Sequence, residues 1–337
     1  MISKRYILKR LLLLIPVLVG VATLVFSILH LSPGNPARVI AGERASKEAV
    51  REIERQLGLN DPVWVQYGRF LWDLLHLDFG QSYIIRRGQP VSDVLRWKFP
   101  ITLELAVFGQ IAGILFGIPI GIISAVKQDT VTDHLGRFGA LTGISVPIFW
   151  SGPLVILLFS VELGWFPTSG RISTDYAVPQ LTGLLTVDTL LLGRYGAFVS
   201  AAKHLLLPSL VIGIYSMALI SRMMRSSMLE VVRQDYIRTA RAKGQGAKIT
   251  LMKHGFRNAL IPVVTVIGIQ FGSLLGGAVL TETVFAIPGI GRLLVDAIQD
   301  GDYPIVQGTV LVFAFVFTLV NLLVDLTYSY LDPRIQQ

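Results

Sequence analysis

The 337-residue chain contains no cysteine, which excludes a disulfide framework, a thiolate metal site and a cysteine nucleophile. Charge is scarce too: Asp, Glu, Lys and Arg make up 15% of the residues, against about 25% in soluble globular proteins. Histidine occurs five times, at His30, His76, His134, His204 and His254, one per segment and never at ligand spacing. There is no HExxH, no Ser/His/Asp set, no GxxxxGK[ST] loop and no GxGxxG after a strand pattern. No catalytic residue, metal site or bound cofactor is therefore expected here, and any ATP chemistry belongs to a partner.

What the chain has is apolar surface. Hydrophobic residues make up 52% of it and the mean hydropathy is +0.61, values of a membrane protein. A net charge of +8 in a soluble chain would suggest nucleic acid. Here the basic residues flank apolar runs, so orientation in a bilayer explains them and nucleic acid is not an expected partner.

Six apolar runs occupy residues 11–31, 101–126, 138–159, 205–224, 259–283 and 305–326. Each is near or above the ~20 residues that a helix needs to cross. The first follows Lys4, Arg5, Lys9 and Arg10 and ends Leu31-Ser32-Pro33-Gly34. It is longer than a signal-peptide core and lacks a small-x-small cleavage site, so it reads as an uncleaved span entered from the cytoplasm. Six crossings then put both termini inside. The expected fold is all-α and polytopic.

Residues 32–100 form the longest polar stretch, with ten basic and eight acidic residues, and long loops translocate largely regardless of charge. Ser46 can cap a helix with Val50, Ile53 and Leu57 on one face, closed by Gly58, and Trp64, Tyr67, Leu71 and Leu74/Leu75 repeat the helical spacing. An external helical cap is expected. Residues 127–137 form a short cytoplasmic loop. Residues 160–204 and 284–304 are external, the former with no clear element of its own.

Two spans carry glycine at every fourth residue: Gly113, Gly117 and Gly121, then Gly268, Gly272 and Gly276. One face of each helix thus lacks side chains, for close helix packing or for a substrate's passage. Pro119, Pro147 and Pro153 can bend their helices. Glu104, Glu282 and Asp325 lie near span ends, as hydrogen-bonding groups or as contacts for a charged substrate.

The most informative stretch is residues 230–262, where Arg233, Arg238, Arg241, Lys243, Lys248, Lys253 and Arg257 face only Glu230 and Asp235. So many cations lie outside the hydrocarbon. Good helix formers end at Gly244 and Gly246, and a second helix can resume over 249–258 before Pro262. By charge alone this is a positive-inside anchor. The string Arg238-Thr239-Ala240-Arg241-Ala242-Lys243-Gly244, however, resembles the EAA loop of ABC-importer permeases in its dipeptide/oligopeptide form. Ala240 and Gly244 match the general pattern, Arg238 and Thr239 replace its Glu and first Ala, and Pro262 arrives later than the pattern's proline. Similar strings lie at 77–83, 101–125, 147–150, 281–291 and 321–334.

The resemblance implies the B-type permease subunit of a dipeptide/oligopeptide importer, with a type I ABC importer permease fold, in the inner membrane. Its parts would be a cytoplasmic N-terminus and first helix (1–31), the external cap (32–100) and a permease core (101–337) with a coupling loop at 227–258. In that family Asp235, Arg238, Thr239, Ala240, Arg241, Ala242, Lys243 and Gly244 would dock on an ATPase subunit. Two ATPases carrying ATP and Mg, a second permease, an external substrate-binding protein, membrane lipid and the peptide would be the partners. Glu282 with Gly268, Gly272 and Gly276 would lie along the path. Relatives of the branch for nickel, haem or another small solute are the alternative. A secondary transporter driven through Glu104, Glu282 or Asp325 would instead need paired midplane charges and internal repeats, and neither is evident.

Overall fold

The computed structural model describes residues 4–31, 35–42 and 44–331. The side chains of Lys4, Arg5 and Lys9, the residues at 32–34, Glu43 and the string's last residues at 332–334 lie outside the described residues. Apart from one bridge between Gln81 and Pro90, the described residues are helices and loops.

In chain order the helices are α1 (Lys4–Leu31), α2 (Pro36–Ala41), α3 (Lys47–Gln56), α4 (Val63–Leu75), α5 (Val91–Val126), α6 (Val131–Ser145) and α7 (Ile148–Ile156). There follow α8 (Leu185–Leu191), α9 (Tyr195–Val232), α10 (Asp235–Ala242), α11 (Ala247–Ile249), α12 (Arg257–Val284), α13 (Ile290–Asp300) and α14 (Tyr303–Leu331). Five stretches are long and apolar enough to cross a membrane: Arg10–Leu31, Val91–Val126, Tyr195–Val232, Ala247–Val284 and Tyr303–Thr327. The region expected as a single span at 138–159 differs. It is a pair, Val131–Ser145 and Ile148–Glu162, bent by 106°. Pro147 is the cause: its ring pushes Val146 out of helical geometry, to φ −88° and ψ 118°, and it brings no N–H to continue the ladder. By contrast, α5 runs through Pro119 unbroken.

Several helices begin well before their apolar windows, α5 at Val91 and α9 at Tyr195. At 36 and 38 residues they are about 55 Å long and overreach a ~30 Å hydrocarbon core. The expected second helix of the basic segment is also joined to the next span: α11, a π-helical stretch at Thr250–Phe256 and α12 are continuous.

The α5 glycines face α9. A β-carbon at Gly117 would lie 2.8 Å from the Met217 carbonyl, and one at Gly113 2.9 Å from the Ser216 side chain. Around this contact Leu105, Ala106, Ile212, Leu275 and Ala278 close one core, and Ile220, Met224, Met228, Ala259 and Val263 close another. In α12, Gly268 meets Val324 and Gly272 meets Phe317, both of α14, while Gly276 has open space.

Ion pairs fix which helix ends lie together. Arg10 of α1 reaches Asp325 of α14 at 2.8 Å, and Arg225 of α9 reaches Asp133 at the start of α6. The α10 segment directly follows this end of α9, so the end is called the loop end. At the opposite, cap end, α4 leans on α1: Tyr67 and Thr23 share a 2.6 Å hydroxyl contact, and Phe26 meets Tyr67 edge-on and Phe70 at a tilt. Ser46 caps α3 as expected, accepting from Ala49 N–H at 3.2 Å. Residues 160–204, expected to lack structure, contain α8 and the first turns of α9; polar groups on α8 bond inward instead of following a plain apolar period.

Because the α9 backbone leaves no room for a β-carbon at Gly117, Gly117→Leu should destabilise the protein by about 1–3 kcal/mol through overpacking. Gly139→Leu, where nothing lies within 4 Å, should cost little. Thermal unfolding of both variants in detergent checks this; equal shifts would contradict it.

Candidate coupling surface and buried carboxylates

Helix α10 is joined to α9 by Arg233 and Gln234 alone. Its first turn carries Asp235 and its last turn Arg241, an order that suits the helix dipole. Only Ile237 is buried, and it pins the helix to the body at 1% exposure. Asn258 adds a 3.1 Å bond to the Tyr236 hydroxyl, and His254 and Gln245 meet at 3.1 Å.

The helix stops as a glycine-closed terminus should. Gly244 N–H donates to Arg241 O at 2.9 Å, and Gln245 N–H reaches back to Ala240 O at 3.2 Å. Gly244 takes φ +79°, a left-handed conformation that costs other residues about 1–2 kcal/mol. Beyond it the surface is open. Asp235, Arg238, Thr239, Arg241, Ala242, Lys243 and Gly244 are all exposed, and Ala240 is half-buried. Arg238 pairs with Asp235 at 3.5 Å, an exposed pair of small energetic weight. The structure therefore brings the eight expected coupling residues together on one projecting helix.

The acids within and beside the spans point inward. Glu282 is fully buried: Thr102 Oγ1 donates to it, Arg292 N–H donates at 2.9 Å, and Ile290 N–H donates in turn to Thr102 Oγ1 at 2.9 Å. A side chain at Gly289 would run into the Glu282 carboxylate, and one at Gly291 would press on Val279. The Pro288-Gly289-Ile290-Gly291 string is thus the small-residue turn that wraps this acid. Glu104 accepts from Thr186 N–H and Oγ1, each at 2.7 Å, and from Arg171 at 2.7 Å. Both acids are thus engaged within this chain, Glu282 by backbone and hydroxyl donors and Glu104 by these together with the Arg171 guanidinium. Gly268 and Gly272, filled over by α14, lie apart from Glu282, and Gly276 alone of the ridge keeps an open flank.

Three further acids matter and were not singled out from the sequence. Asp302 accepts the Ser82 hydroxyl at 2.6 Å and the N–H groups of Tyr83, Ile84 and Ile85 at 3.0–3.1 Å. Asp188 gathers the N–H groups of Leu181, Thr182 and Gly183 and the Thr182 hydroxyl. Burial pushes its carboxyl up, but these bonds outweigh burial and hold it below the usual aspartate range. Asp133 receives Arg225 through two 2.7 Å bonds and Ser124 through a third. The available signal for this last pair was Arg225 itself: a cation beside an apolar run needs a partner.

Taken together, the described residues form a multi-pass helical membrane protein with a basic helix displayed at one end. Residues 117–337 match the family model of the binding-protein-dependent transport system inner membrane component, and residues 3–106 match its N-terminal companion. The chain belongs to this family, and is thus a multi-pass protein of the inner membrane. It is 49% identical over 331 residues to the dipeptide transport system permease protein DppB of Alkalihalophilus pseudofirmus, covering 98% of this chain and 99% of that one. Identity to the Escherichia coli K12 DppB is 47% over 337 residues, covering 98% of each. A glutathione transport system permease, GsiC of Salmonella paratyphi A, is 44% identical over 331 residues, covering 98% of each. One solved chain, of an amino acid ABC transporter, superposes with a TM-score of 0.46 at 14% identity, covering 71% of this chain and 92% of that one.

Removing one partner of the Asp133–Arg225 pair leaves an uncompensated buried charge, so Asp133→Ala should cost about 3–5 kcal/mol. The double replacement Asp133→Leu with Arg225→Met should recover much of that loss. A double-mutant cycle on thermal stability tests it; additive losses would rule the coupling out.

Proposed function

We propose that this chain is one permease subunit of an ATP-driven importer of short peptides. The observation that carries the reading is near-full-length identity, 47–49%, to dipeptide permeases. The chain forms half of the path and a second, homologous permease forms the other half. ATP with Mg is bound and hydrolysed by two partner ATPases, and an external binding protein delivers the peptide to the cap at 32–100. Both termini lie in the cytoplasm. Support comes from the Arg10–Asp325 contact, which puts the start of the first span beside the end of the last, and from the cations of the α10 segment at the same end.

Asp235 to Gly244 dock in a groove of an ATPase subunit. Exposed cations there pair with acids at ~0.2–1 kcal/mol each, so shape outweighs charge. Within the path, Gly276 offers the open flank of the α12 ridge. Glu282 shapes the wall by fixing α13 to α5, and Gly268 and Gly272 set the distance to α14.

Gly244→Val should release the ATPases from the membrane or uncouple hydrolysis from uptake, because a β-branched residue resists a φ of +79°. Arg238→Ala should weaken the complex only mildly. Co-purification of ATPase subunits and dipeptide uptake by each variant, after confirming membrane insertion, are the readouts. Full retention and normal coupling with Gly244→Val would reduce the loop to a topological anchor.

A further inference from the structure

Helices α9 and α12 leave a groove of about 410 Å³ between Leu219, Arg222, Met223 and Ser226 on one side and Val266, Ile269 and Gln270 on the other. The α9 residues stand at i, i+3, i+4 and i+7 and those of α12 at i, i+3 and i+4, so one face of each helix builds it. Two polar groups in this apolar setting lack a partner. Arg222 is exposed and forms no ion pair or hydrogen bond with the described residues, whereas Arg225, one turn on, is fully neutralised by Asp133. Gln270 is only 6% exposed, and its amide nitrogen has no hydrogen-bond partner. Arg222 lies ten residues before the end of α9 at Val232, about 15 Å along the helix. A guanidinium without a partner beside a buried, unsatisfied amide marks a site suited to an anion.

We propose that this groove is a carboxylate-binding station in the inner half of the peptide path, a proposal that rests on the importer reading above. Arg222 takes the C-terminal carboxylate of a short peptide, Ser226 and the Gln270 amide supply neutral donors, and Leu219, Met223, Val266 and Ile269 hold an apolar side chain. The volume falls within the ~300–1,000 Å³ range of small-molecule sites. A charge-assisted bond to a planar carboxylate is the geometry that guanidinium serves best. The station also sits on the helix that leads, through two residues, into α10. Occupancy and the ATPase-facing helix therefore share one rigid element.

The test uses the complete importer, with both permeases, both ATPases and binding protein, reconstituted in neutral-lipid vesicles with labelled L-alanyl-L-alanine. Arg222→Gln should lower uptake about tenfold or more, while subunit composition and the stimulation of ATP hydrolysis by loaded binding protein stay near wild type. Arg222→Lys, which keeps the charge but loses the planar fork, should give uptake between that of wild type and Arg222→Gln. Undiminished uptake by Arg222→Gln would overturn the proposal. So would loss of the second permease from the complex, which would assign Arg222 to an acid of that partner. Recovery of uptake on adding anionic lipid would assign it to a headgroup and also overturn the proposal. If the wild-type importer moves no dipeptide at all, the cargo reading fails with it; if the wild type does and Arg222→Gln equals it, only the station fails.

Discussion

The close approach of α5 and α9 is the constraint on which the rest depends. Glycines at 109, 113, 117 and 121 remove the side chains from one face of α5, so that the α9 backbone lies where β-carbons would otherwise be. In a bilayer, apolar area alone gives helices little reason to associate, and tight packing of this kind is what holds them. The approach fixes the rotation of α9 about its axis. It thereby places Arg225 over Asp133, turns Arg222 toward α12 and aims the last turn of α9 at the two-residue link to α10.

Buried carboxylates do at the cap end what glycine does in the middle. Loops close to hydrocarbon have little water to satisfy their N–H groups, and each unpaired group is expensive. Glu282 ties the α12–α13 turn to Thr102 of α5, Glu104 holds α8 and Arg171, Asp188 organises the turn before α8, and Asp302 gathers the 82–85 segment. Each acid is far in sequence from at least part of what it binds or closes a tight local turn. The cap end is thus fastened to the spans by groups that also exclude water from them.

Much of the architecture was legible because membranes restrict the vocabulary. Five spans and the glycine-closed helix 235–242 follow from apolar length, from charge and from Gly244. The Ser46 cap followed from one hydroxyl at the right offset. The break at Pro147 was legible as a bend, but its 106° size depends on what α6 and α7 pack against. Helix α8 was not legible, since its Thr186, Asp188 and Thr189 are buried through hydrogen bonds and blur the apolar period. Glu104 and Glu282 were legible as unusual, though not as loop fasteners, and Asp133 was not legible: Glu282 meets Thr102 across 180 residues, and Asp133 meets Arg225 across 92. Pairing at that range is a property of the packed helices.

On the proposed docking, a push on α10 would pass through Arg233 and Gln234 into α9, and from α9 into α5 by glycine contacts and into α6 by the Asp133 ion pair. The Tyr236–Asn258 bond would carry the same displacement to α12. The central claim is that α10 meets an ATPase on the cytoplasmic face, and the absence of native cysteine makes it directly measurable. A single cysteine at Ala242, treated with a short thiol-to-amine cross-linker in membranes containing the assembled importer, should yield an adduct with an ATPase subunit, and should be reached by impermeant reagents only from the cytoplasmic side. Labelling from the external side, or a well-exposed cysteine that never cross-links to an ATPase, would contradict the account.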